Sequence, residues 1–548
     1  MSEQPSPLLS VRNLSVRLPG KADRAYAVQN VSFDLQRGEI LCIVGESGSG
    51  KSISANAIMG LLPDYLKPEQ GSILFAGQDL LQASESSLLA LRGRRIGMIF
   101  QEPMSALNPT MKVGAQIAEV MDTHKLYPGE QRQQRVLELL ERVGLPDPPS
   151  LQHAYPFRLS GGQRQRVMIA MALALEPDIL IADEPTTALD VTTQAQILAL
   201  IKSLQARMGM GVMFITHDFG VVADIADRIA VMEKGLLVEQ GSAEQVLDAP
   251  RHPYTQRLIA AVPQGRAEAA ALASPQPLLE VRDLRKTYAS ASGWFKRQAR
   301  VVHAVDGVSF SLGRGETLGI VGESGSGKSS IGRCLLKLQG IDGGQMLFNG
   351  QDIAPLSQAE FRPLRPKIQM IFQDPFASLN PRHTVGRILT DGPIAAGVAP
   401  AEAQRKAREL LRLVELPEAA MERYPNEFSG GQRQRVGIAR ALALEPELIV
   451  ADESVSALDV SVQAQVLQLL QGIQQRLGVA MVFITHDLRV AAKICHRIGV
   501  MHRGRLVEYG EPGQILEHPQ QAYTRELLAA MPGKAWDARR EALANAAD

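Results

Sequence analysis

The amino-acid sequence predicts an α/β protein made of two tandem copies of one domain, each built around a mostly parallel sheet. The first observation is an internal repeat, because GESGSGKS occupies residues 45–52 and recurs at residues 322–329. The second observation is that short, nearly continuous apolar runs alternate with longer amphipathic segments. Apolar runs of this kind are typical of parallel strands buried on both faces. The clearest runs of the first half lie at 39–45, 178–184 and 212–218.

Three later motifs recur with unchanged spacing between them, which indicates a tandem duplication. They are SGGQRQRV from 160 and 429, ADE ending at 184 and 453, and ITHD with its histidine at 217 and 486. Residues 53–62 and 167–175 are predicted to form helices of the first half.

Composition excludes several classes of protein. Of the 548 residues, 45% are hydrophobic and 21% charged, which is typical of a globular chain and not of a disordered or fibrous one. Lys+Arg and Asp+Glu both number 58, so the basic excess of most nucleic-acid-binding proteins is absent. The longest apolar run spans only 167–175, whereas a membrane-spanning helix needs about 20 residues. No signal peptide is expected, and three scattered cysteines favour a reducing compartment.

Changes in composition predict the domain boundaries. The expected order is a first domain at 1–262, a linker at 263–277, a second domain at 278–532 and a charged, alanine-rich tail at 533–548. The linker segment is rich in proline and alanine and poor in bulky apolar residues. A short helix packed on the first half is the alternative for this segment. The tail is expected to be helical or frayed.

Each GESGSGKS follows a predicted strand and opens a predicted helix, as a phosphate-binding loop requires. Glycines let the backbone wrap around phosphate groups, and the lysine reaches the β- and γ-phosphates while the following hydroxyl binds Mg²⁺. A Gly/Ser-rich turn is the alternative for a single copy. The candidate nucleotide-binding residues are Gly45, Ser47, Gly48, Gly50, Lys51 and Ser52, and in the second half Gly322, Ser324, Gly325, Gly327, Lys328 and Ser329.

Two adjacent carboxylates end an apolar strand in each half. Asp183 and Asp452 fit the role of Mg²⁺ ligands, directly or through water. Glu184 and Glu453 come one residue later, at the sheet edge where ligands bind, and can polarise a water molecule for attack on the γ-phosphate. The alternative is that these acidic pairs are only turn residues.

A glutamine and a histidine follow other strands in each half. Gln101 and Gln373 could contact Mg²⁺ or the attacking water, or be structural. A lone histidine is more often a satisfied core residue. The recurrence of His217 and His486 at one fixed distance from the glutamate favours contact with the γ-phosphate.

The SGGQ segments combine serine and two glycines with the start of a helix, which predicts a second anion-binding helix N-terminus. If each half closed on the other head to tail, each segment could cap a γ-phosphate held by the opposite phosphate loop. A plain helix cap is the alternative. The candidate residues are Ser160, Gly162 and Gln163, and Ser429, Gly431 and Gln432.

With these motifs in order, the chain resembles the ATP-binding subunits of ABC transporters over nearly its whole length. The matched set is Walker A, Q-loop, signature, Walker B with its glutamate, D-loop (188–190 and 457–459) and H-loop. The resemblance implies two tandem P-loop NTPase domains of the ABC type. Each would have an α/β core, an N-terminal antiparallel β portion and a helical subdomain, near 103–165 and 375–434.

Four further segments resemble the oligopeptide/dipeptide/nickel branch of ABC importers, and the fusion of both halves is most similar to the microcin C/peptide type. They are QEPMSALNP at 101–109, QDPFASLNP at 373–381, HPYTQRLIAAVP at 252–263 and HPQQAYTRELLAAMP at 518–532. This resemblance implies an ATPase that uses ATP and Mg²⁺ to power import of peptides or peptide-like solutes. The alternative function is a soluble tandem ATPase acting on ribosomes or nucleic acid.

The resemblance also implies partners and a location. These are two integral-membrane permeases, contacting residues 104–109 and 376–381, and an extracytoplasmic solute-binding protein. The chain would be peripheral at the cytoplasmic face of the inner membrane. No self-dimer is required, and neither nucleic-acid binding nor an iron–sulfur cluster is expected.

The adenine contacts are expected to differ between the two sites. The family stacks adenine on an aromatic residue, and Tyr288 fits that role in the second half. Its counterpart in the first half is Leu18, for which Tyr26 is the candidate substitute.

Overall fold

The computed structural model describes residues 6–20, 24–187, 189–263, 276–289, 301–456 and 458–547. The chain divides into two compact units, residues 1–262 with 531–548, and residues 263–530. Most of the predicted linker 263–277, including its alternative as a short helix, lies outside the described residues, as do the alanines of the two predicted D-loops.

The first unit contains two sheets. Its strands are β1 (Leu9–Arg17), β2 (Tyr26–Leu35), β3 (Ile40–Val44), β4 (Pro68–Phe75), β5 (Gln78–Asp79), β6 (Ile96–Ile99), β7 (Ile179–Asp183), β8 (Gly211–Thr216), β9 (Arg228–Glu233) and β10 (Leu236–Ser242). One sheet is antiparallel with the order β2-β1-β4-β5. The other has the order β10-β9-β3-β8-β7-β6 and is parallel except for β10, which pairs antiparallel with β9.

Helices cover the parallel sheet and form a separate helical portion between β6 and β7. They are α1 (Lys51–Met59), α2 (Glu85–Leu91), α3 (Pro103–Ala106), α4 (Val113–Thr123), α5 (Glu130–Arg142), α6 (Pro148–Leu151), α7 (Gly161–Ala172), α8 (Val191–Met208), α9 (Phe219–Ile225), α10 (Ala243–Asp248) and α11 (Pro253–Ala261). Every residue of β3, β7 and β8 is buried, which explains their continuous apolar sequences.

The second unit repeats this plan. Its strands are β11 (Leu279–Ala289), β12 (Val301–Leu312), β13 (Thr317–Val321), β14 (Gly343–Phe348), β15 (Gln351–Asp352), β16 (Ile368–Ile371), β17 (Leu448–Asp452), β18 (Ala480–Thr485), β19 (Arg497–His502) and β20 (Arg505–Gly510). The antiparallel sheet has the order β12-β11-β14-β15, and the mostly parallel sheet has the order β16-β17-β18-β13-β19-β20. The two units therefore share one strand order.

The helices of the second unit follow the same succession, except that a 3-10 helix, Glu418–Glu422, takes the place of α6. They are α12 (Lys328–Leu335), α13 (Gln358–Phe361), α14 (Pro375–Ser378), α15 (Val385–Ala395), α16 (Pro400–Leu413), α17 (Gly430–Leu442), α18 (Val460–Leu477), α19 (Leu488–Ile494), α20 (Pro512–Glu517) and α21 (Ala522–Ala529). The predicted fold class, with an α/β core, an antiparallel β portion and a helical subdomain in each half, is confirmed.

The core of the first unit joins both of its sheets through the helix after the phosphate loop. Val11 and Ile73 from the antiparallel sheet, Ile58 from α1, and Ile43 and Ile181 from the parallel sheet belong to one buried cluster. Burial of this apolar surface fixes α1, and with it the phosphate loop, between two rigid layers.

The C-terminal tail packs with the first unit. Residues Lys534–Ala547 form a helix, α22, whose Trp536 is only 1% exposed. The Gly533 N–H donates to Asp224 Oδ2 of α9 at 3.0 Å, and a Cβ at Gly533 would lie 2.7 Å from the Gly220 Cα. The expected boundary at 532 differs from the observed division, since residues 531–548 group with the first unit. The described helices include none with the length and apolar character that crossing a membrane requires.

Candidate active sites

Each phosphate loop connects the end of a buried strand to the start of a helix, and its glycines are required by the backbone. Gly45 and Gly322 both have φ +151, and a Cβ at either would lie 2.2 Å from a carbonyl oxygen, of Met232 and Met501 respectively. Gly50 has φ +104 and precedes α1 directly. The predicted phosphate-binding segment is therefore a specific loop at a helix N-terminus, a geometry that binds anions.

Each loop lysine donates hydrogen bonds to two backbone carbonyl groups of its own loop. The Lys51 Nζ donates to Gly45 O at 2.7 Å and to Glu46 O at 2.9 Å, and Lys328 makes the same two bonds to Gly322 and Glu323 at the same distances. Both lysines are buried. Their ammonium groups therefore lie at the mouth of the loop, where phosphate oxygens would bind.

A serine hydroxyl and an aspartate meet beside each lysine. The Ser52 Oγ donates to Asp183 Oδ1 at 3.1 Å, and the Ser329 Oγ donates to Asp452 Oδ1 at 2.9 Å. Burial raises the pKa of both aspartates above the ordinary value. One hydroxyl and one carboxylate suit Mg²⁺, which binds few protein ligands and fills its remaining positions with phosphate oxygens and water.

The glutamate after each aspartate has a strained backbone. Glu184 has φ +46 and Glu453 has φ +44, in the left-handed region that non-glycine residues rarely adopt. Their backbone N–H groups donate to Ile215 O and Ile484 O, both at 2.9 Å, which holds the strained turn against the neighbouring strand. Strain of this kind is concentrated at functional sites.

In the first unit, three side chains hold the Glu184 carboxylate. Gln101 Nε2 donates to Oε2 at 2.9 Å, Thr187 Oγ1 donates to Oε2 at 3.0 Å, and His217 Nδ1 lies 3.3 Å from Oε1. Burial works against ionisation of Glu184, but the contact with His217 and the charges nearby outweigh it, and the pKa lies at about 2. The carboxylate is therefore charged at neutral pH.

The second unit places the same groups together, with a shorter glutamine contact and a longer histidine contact. Gln373 Nε2 donates to Glu453 Oε2 at 2.7 Å, while His486 Nδ1 and Lys328 Nζ both lie 3.9 Å from Oε1. Contact with His486 lowers the pKa of Glu453 against the opposing effect of burial. Ser456, the counterpart of Thr187, donates to the Glu453 backbone carbonyl instead of its carboxylate. The contact of Thr187 with the carboxylate was not predicted, and its position three residues after the glutamate is the only signal in the sequence.

Both predicted glutamines and both predicted histidines thus lie beside the Glu184 or Glu453 carboxylate. The Mg²⁺-binding role of Gln101 and Gln373 stays a prediction, because the contacts that the structure shows for their amides are to Glu184 and Glu453.

The SGGQ segments cap helices α7 and α17. Ser160 Oγ accepts from Gln163 N at 3.2 Å while Gln163 Oε1 accepts from Ser160 N at 3.0 Å, and Ser429 and Gln432 form the same box. The plain-cap interpretation is therefore true of both segments, and their anion-binding role stays a prediction. Both serines are exposed.

The Tyr288 ring lies beside the second phosphate-loop helix. Its hydroxyl contacts Gln339 and lies 3.4 Å from Ser330 Oγ of α12. In the first unit Leu18 packs against the core, and the Tyr26 hydroxyl donates to Glu69 at 3.2 Å. Adenine stacking on Tyr288 stays a prediction.

The three cysteines are buried, Cys42 in β3, Cys334 in α12 and Cys495 beyond α19. Burial raises the pKa of each thiol, to about 11 for Cys334. The expectation that no iron–sulfur cluster is present stays a prediction.

Each unit thus carries a phosphate loop, a serine–aspartate pair and a glutamate held by glutamine and histidine, which together define a nucleotide-hydrolysing P-loop enzyme with two sites in one chain. The model of the family described as "ABC transporter" matches residues 28–187 and 305–456, and that of "Oligopeptide/dipeptide transporter, C-terminal region" matches 238–286 and 507–547. The chain belongs to the ABC transporter family, as an ATP-binding subunit of its oligopeptide/dipeptide importer branch.

Curated relatives match this chain along nearly its full length. The glutathione import ATP-binding protein GsiA of Salmonella choleraesuis is 48% identical over 96% of this chain and 89% of its own length. The protein of the same name from Escherichia coli O6:H1 has the same identity and coverage. A solved dimeric structure of MJ0796, a bacterial ABC transporter cassette, is 30% identical with a TM-score of 0.39, over 43% of this chain and 98% of that one. The predictions of family, transport ATPase activity and importer branch are confirmed.

Proposed function

We propose that the chain hydrolyses MgATP at two sites to power import of a small peptide, with glutathione the first candidate. The observation that carries the proposal is the recurrence of one constellation in both units. The lysine, serine–aspartate and glutamine–glutamate contacts have nearly the same distances, and a histidine lies beside each glutamate. Neither site lacks a group that ATP hydrolysis needs.

Each chemical step is assigned to residues of one unit. Lys51 and the loop amides bind the phosphates, and Ser52 with Asp183 would hold Mg²⁺, which neutralises charge developing on the phosphates. Glu184 polarises the attacking water as a general base. Gln101 and His217 both contact Glu184. Entry of a γ-phosphate would draw these two side chains toward the phosphate and leave the Glu184 carboxylate available to bind the attacking water.

The permease contacts are proposed at the segments after the two glutamines. Met104 is 57% exposed and Phe376 is 60% exposed, each in the segment expected from the sequence. Phe100 and Phe372, beside the glutamines, are also exposed. Large apolar side chains grouped at a surface are typical of protein interfaces. Two permeases, an extracytoplasmic binding protein and a location at the cytoplasmic face of the membrane complete the proposal.

Uptake in cells tests the solute. A strain lacking this chain is expected to lose uptake of labelled glutathione, and the parent gene is expected to restore it. The gene carrying both Glu184→Gln and Glu453→Gln is expected not to restore uptake. Competition with unlabelled dipeptides and oligopeptides measures the breadth of the solute class. Glutathione uptake that is unchanged in the deletion strain would exclude glutathione as the solute.

The signature residues are proposed to bind the γ-phosphate held by the opposite half, as expected from the sequence. Cysteines placed at Ser52 and Ser429 are expected to crosslink more readily with ATP than without it, in a chain whose three buried native cysteines are replaced. Cysteines at Ser52 and Ser160, which lie in the same half, provide the matched control and should show no gain with ATP. Crosslinking that ignores nucleotide would contradict this pairing.

A further inference from the structure

A tyrosine from the C-terminal extension of each ATPase core reaches the phosphate loop. The Tyr254 hydroxyl, on α11, accepts a hydrogen bond from the Glu46 N–H at 3.1 Å. The Tyr523 hydroxyl, on α21, accepts one from the Glu323 N–H at 3.2 Å. The same contact thus occurs in both units, although the segments that carry it, HPYT and HPQQAYT, differ in length.

These bonds act on the peptide group that also holds the loop lysine. The Glu46 N–H and the Gly45 carbonyl belong to one planar peptide group, and that carbonyl accepts from Lys51 Nζ at 2.7 Å. A hydroxyl that fixes the direction of the N–H therefore fixes the direction of the C=O. The second unit has the same arrangement, with Tyr523 on the N–H and Lys328 on the C=O.

The residue that contributes the carbonyl to this peptide group is a glycine, which has no side chain of its own. Gly45 has φ +151, and the close approach of Met232 O leaves no room for a Cβ. The orientation of the loop at this point therefore depends on hydrogen bonds to its backbone.

The helices that carry the tyrosines are anchored to the sheet. Glu239 of β10 accepts from the N–H groups of Arg251 at 2.7 Å and His252 at 3.1 Å, just before α11. Glu508 of β20 accepts from Gln520 at 2.7 Å and Gln521 at 3.2 Å, just before α21.

The tyrosine rings are held as well. Tyr254 is 4% exposed, and the Tyr523 ring stacks on His502 of β19 with centroids 3.9 Å apart. Each hydroxyl is therefore delivered to the loop by a fixed element and not by a mobile side chain.

We propose that Tyr254 and Tyr523 are positioning residues for the phosphate-loop lysines, acting through the peptide group between loop residues one and two. The C-terminal extension of each unit thereby contributes to the nucleotide affinity of the ATPase core that precedes it in the chain. The proposal rests on the proposed phosphate-binding role of Lys51 and Lys328, and it assigns to the extension a function within ATP binding.

Removing the hydroxyl alone tests the proposal, and phenylalanine keeps the ring. Tyr523→Phe is made in the full chain carrying Lys51→Ala, so that binding reports the second site. The dissociation constants of ATP and ADP are expected to rise about two- to tenfold, as for loss of one neutral hydrogen bond. Affinity for AMP, which lacks the phosphates that the lysine contacts, is expected to stay within twofold.

The chain offers a matched control in the same unit. The Tyr509 hydroxyl donates to Ser311 O at 3.2 Å, so Tyr509→Phe also removes one tyrosine hydroxyl bonded to backbone. This variant is expected to leave ATP affinity unchanged. Tyr254→Phe in the Lys328→Ala chain repeats the test at the first site. With both lysines intact, the double phenylalanine variant is expected to raise the KM for ATP more than it lowers kcat.

Three outcomes would overturn the inference or its basis, and they are distinguishable. Unchanged ATP affinity in both phenylalanine variants would overturn the positioning role. An equal loss of AMP affinity, with a lower melting temperature of the nucleotide-free protein, would show a purely structural role and also overturn it. If Lys51→Ala and Lys328→Ala themselves leave ATP binding intact, the proposed function of the loops fails first.

Discussion

Replacing Glu184 and Glu453 together by glutamine is expected to lower ATP hydrolysis by about 10²–10⁴-fold while ATP binding is retained. Glutamine keeps the size of glutamate and its hydrogen bonding to Gln101 and Gln373, but it loses the negative charge that polarises the attacking water. The groups that bind the nucleotide are not altered. Loss of a carboxylate beside the γ-phosphate also removes a repulsion between like charges.

Transport by this variant is expected to stop, because each cycle must release the hydrolysed nucleotide before the permease can return to its starting state. Single-turnover hydrolysis and nucleotide retention in the purified complex measure the two effects separately. Glu119→Gln, an exposed glutamate in helix α4, provides the control and should behave as the parent. Hydrolysis by the double variant within about twofold of the parent would contradict the role assigned to both glutamates.

The parts of the fold that the sequence predicted are those whose pattern is local. The runs at 39–45, 178–184 and 212–218 contain the observed strands Ile40–Val44, Ile179–Asp183 and Gly211–Thr216. Their continuous apolar character follows from burial on both faces, and this pattern can be recognised without knowing which strand is the neighbour. The phosphate loop was predicted for the same reason, since glycines and lysine lie within eight consecutive residues.

Contacts between distant segments were not predicted in detail. The sequence predicted contact of Gln101 with Mg²⁺ or the attacking water and contact of His217 with the γ-phosphate, but it did not predict that both side chains contact the Glu184 carboxylate. In the sequence, Tyr254 is only one residue of the segment that resembles the importer family. Its contact with Glu46 depends on the position of helix α11, which lies more than 200 residues away along the chain. No periodicity or spacing in the sequence encodes such a distance.

The same limit applies to the C-terminal tail. The composition of residues 533–548, charged and rich in alanine, predicts a helical or frayed tail but not a docking site. Burial of Trp536 against the first unit depends on a surface that folds from the other end of the chain.

The two sites differ in the contacts of the glutamate to which we assign the catalytic role. Glu184 has the Thr187 hydroxyl on its carboxylate, whereas the counterpart of Thr187, Ser456, donates to the Glu453 backbone carbonyl and leaves that carboxylate without this contact. A carboxylate with fewer fixed contacts must lose more conformational freedom before it can orient a water molecule. Preorganisation of this carboxylate therefore contributes less to the rate of hydrolysis. The first site is therefore expected to be the faster one when each is measured alone.

Single lysine variants are expected to reduce the number of bound nucleotides from two to one. Lys51→Ala removes the only cation of the first phosphate loop, and hydrogen bonds to charged groups stabilise by about 1.5–3 kcal/mol. The affinity of the altered site is therefore expected to fall about 10- to 100-fold. Lys328→Ala is expected to do the same at the second site, because its ammonium makes the same two bonds to its loop.

Calorimetric titration with a non-hydrolysable ATP analogue measures both the stoichiometry and the affinity of the remaining site. Lys67→Ala, at an exposed lysine outside the loop, should bind two nucleotides as the parent does. The melting temperature without nucleotide checks that each variant is folded. Since the two sites are built from separate loops, a folded Lys51→Ala chain that still binds two nucleotides with parental affinity would remove the assignment of the phosphate loop.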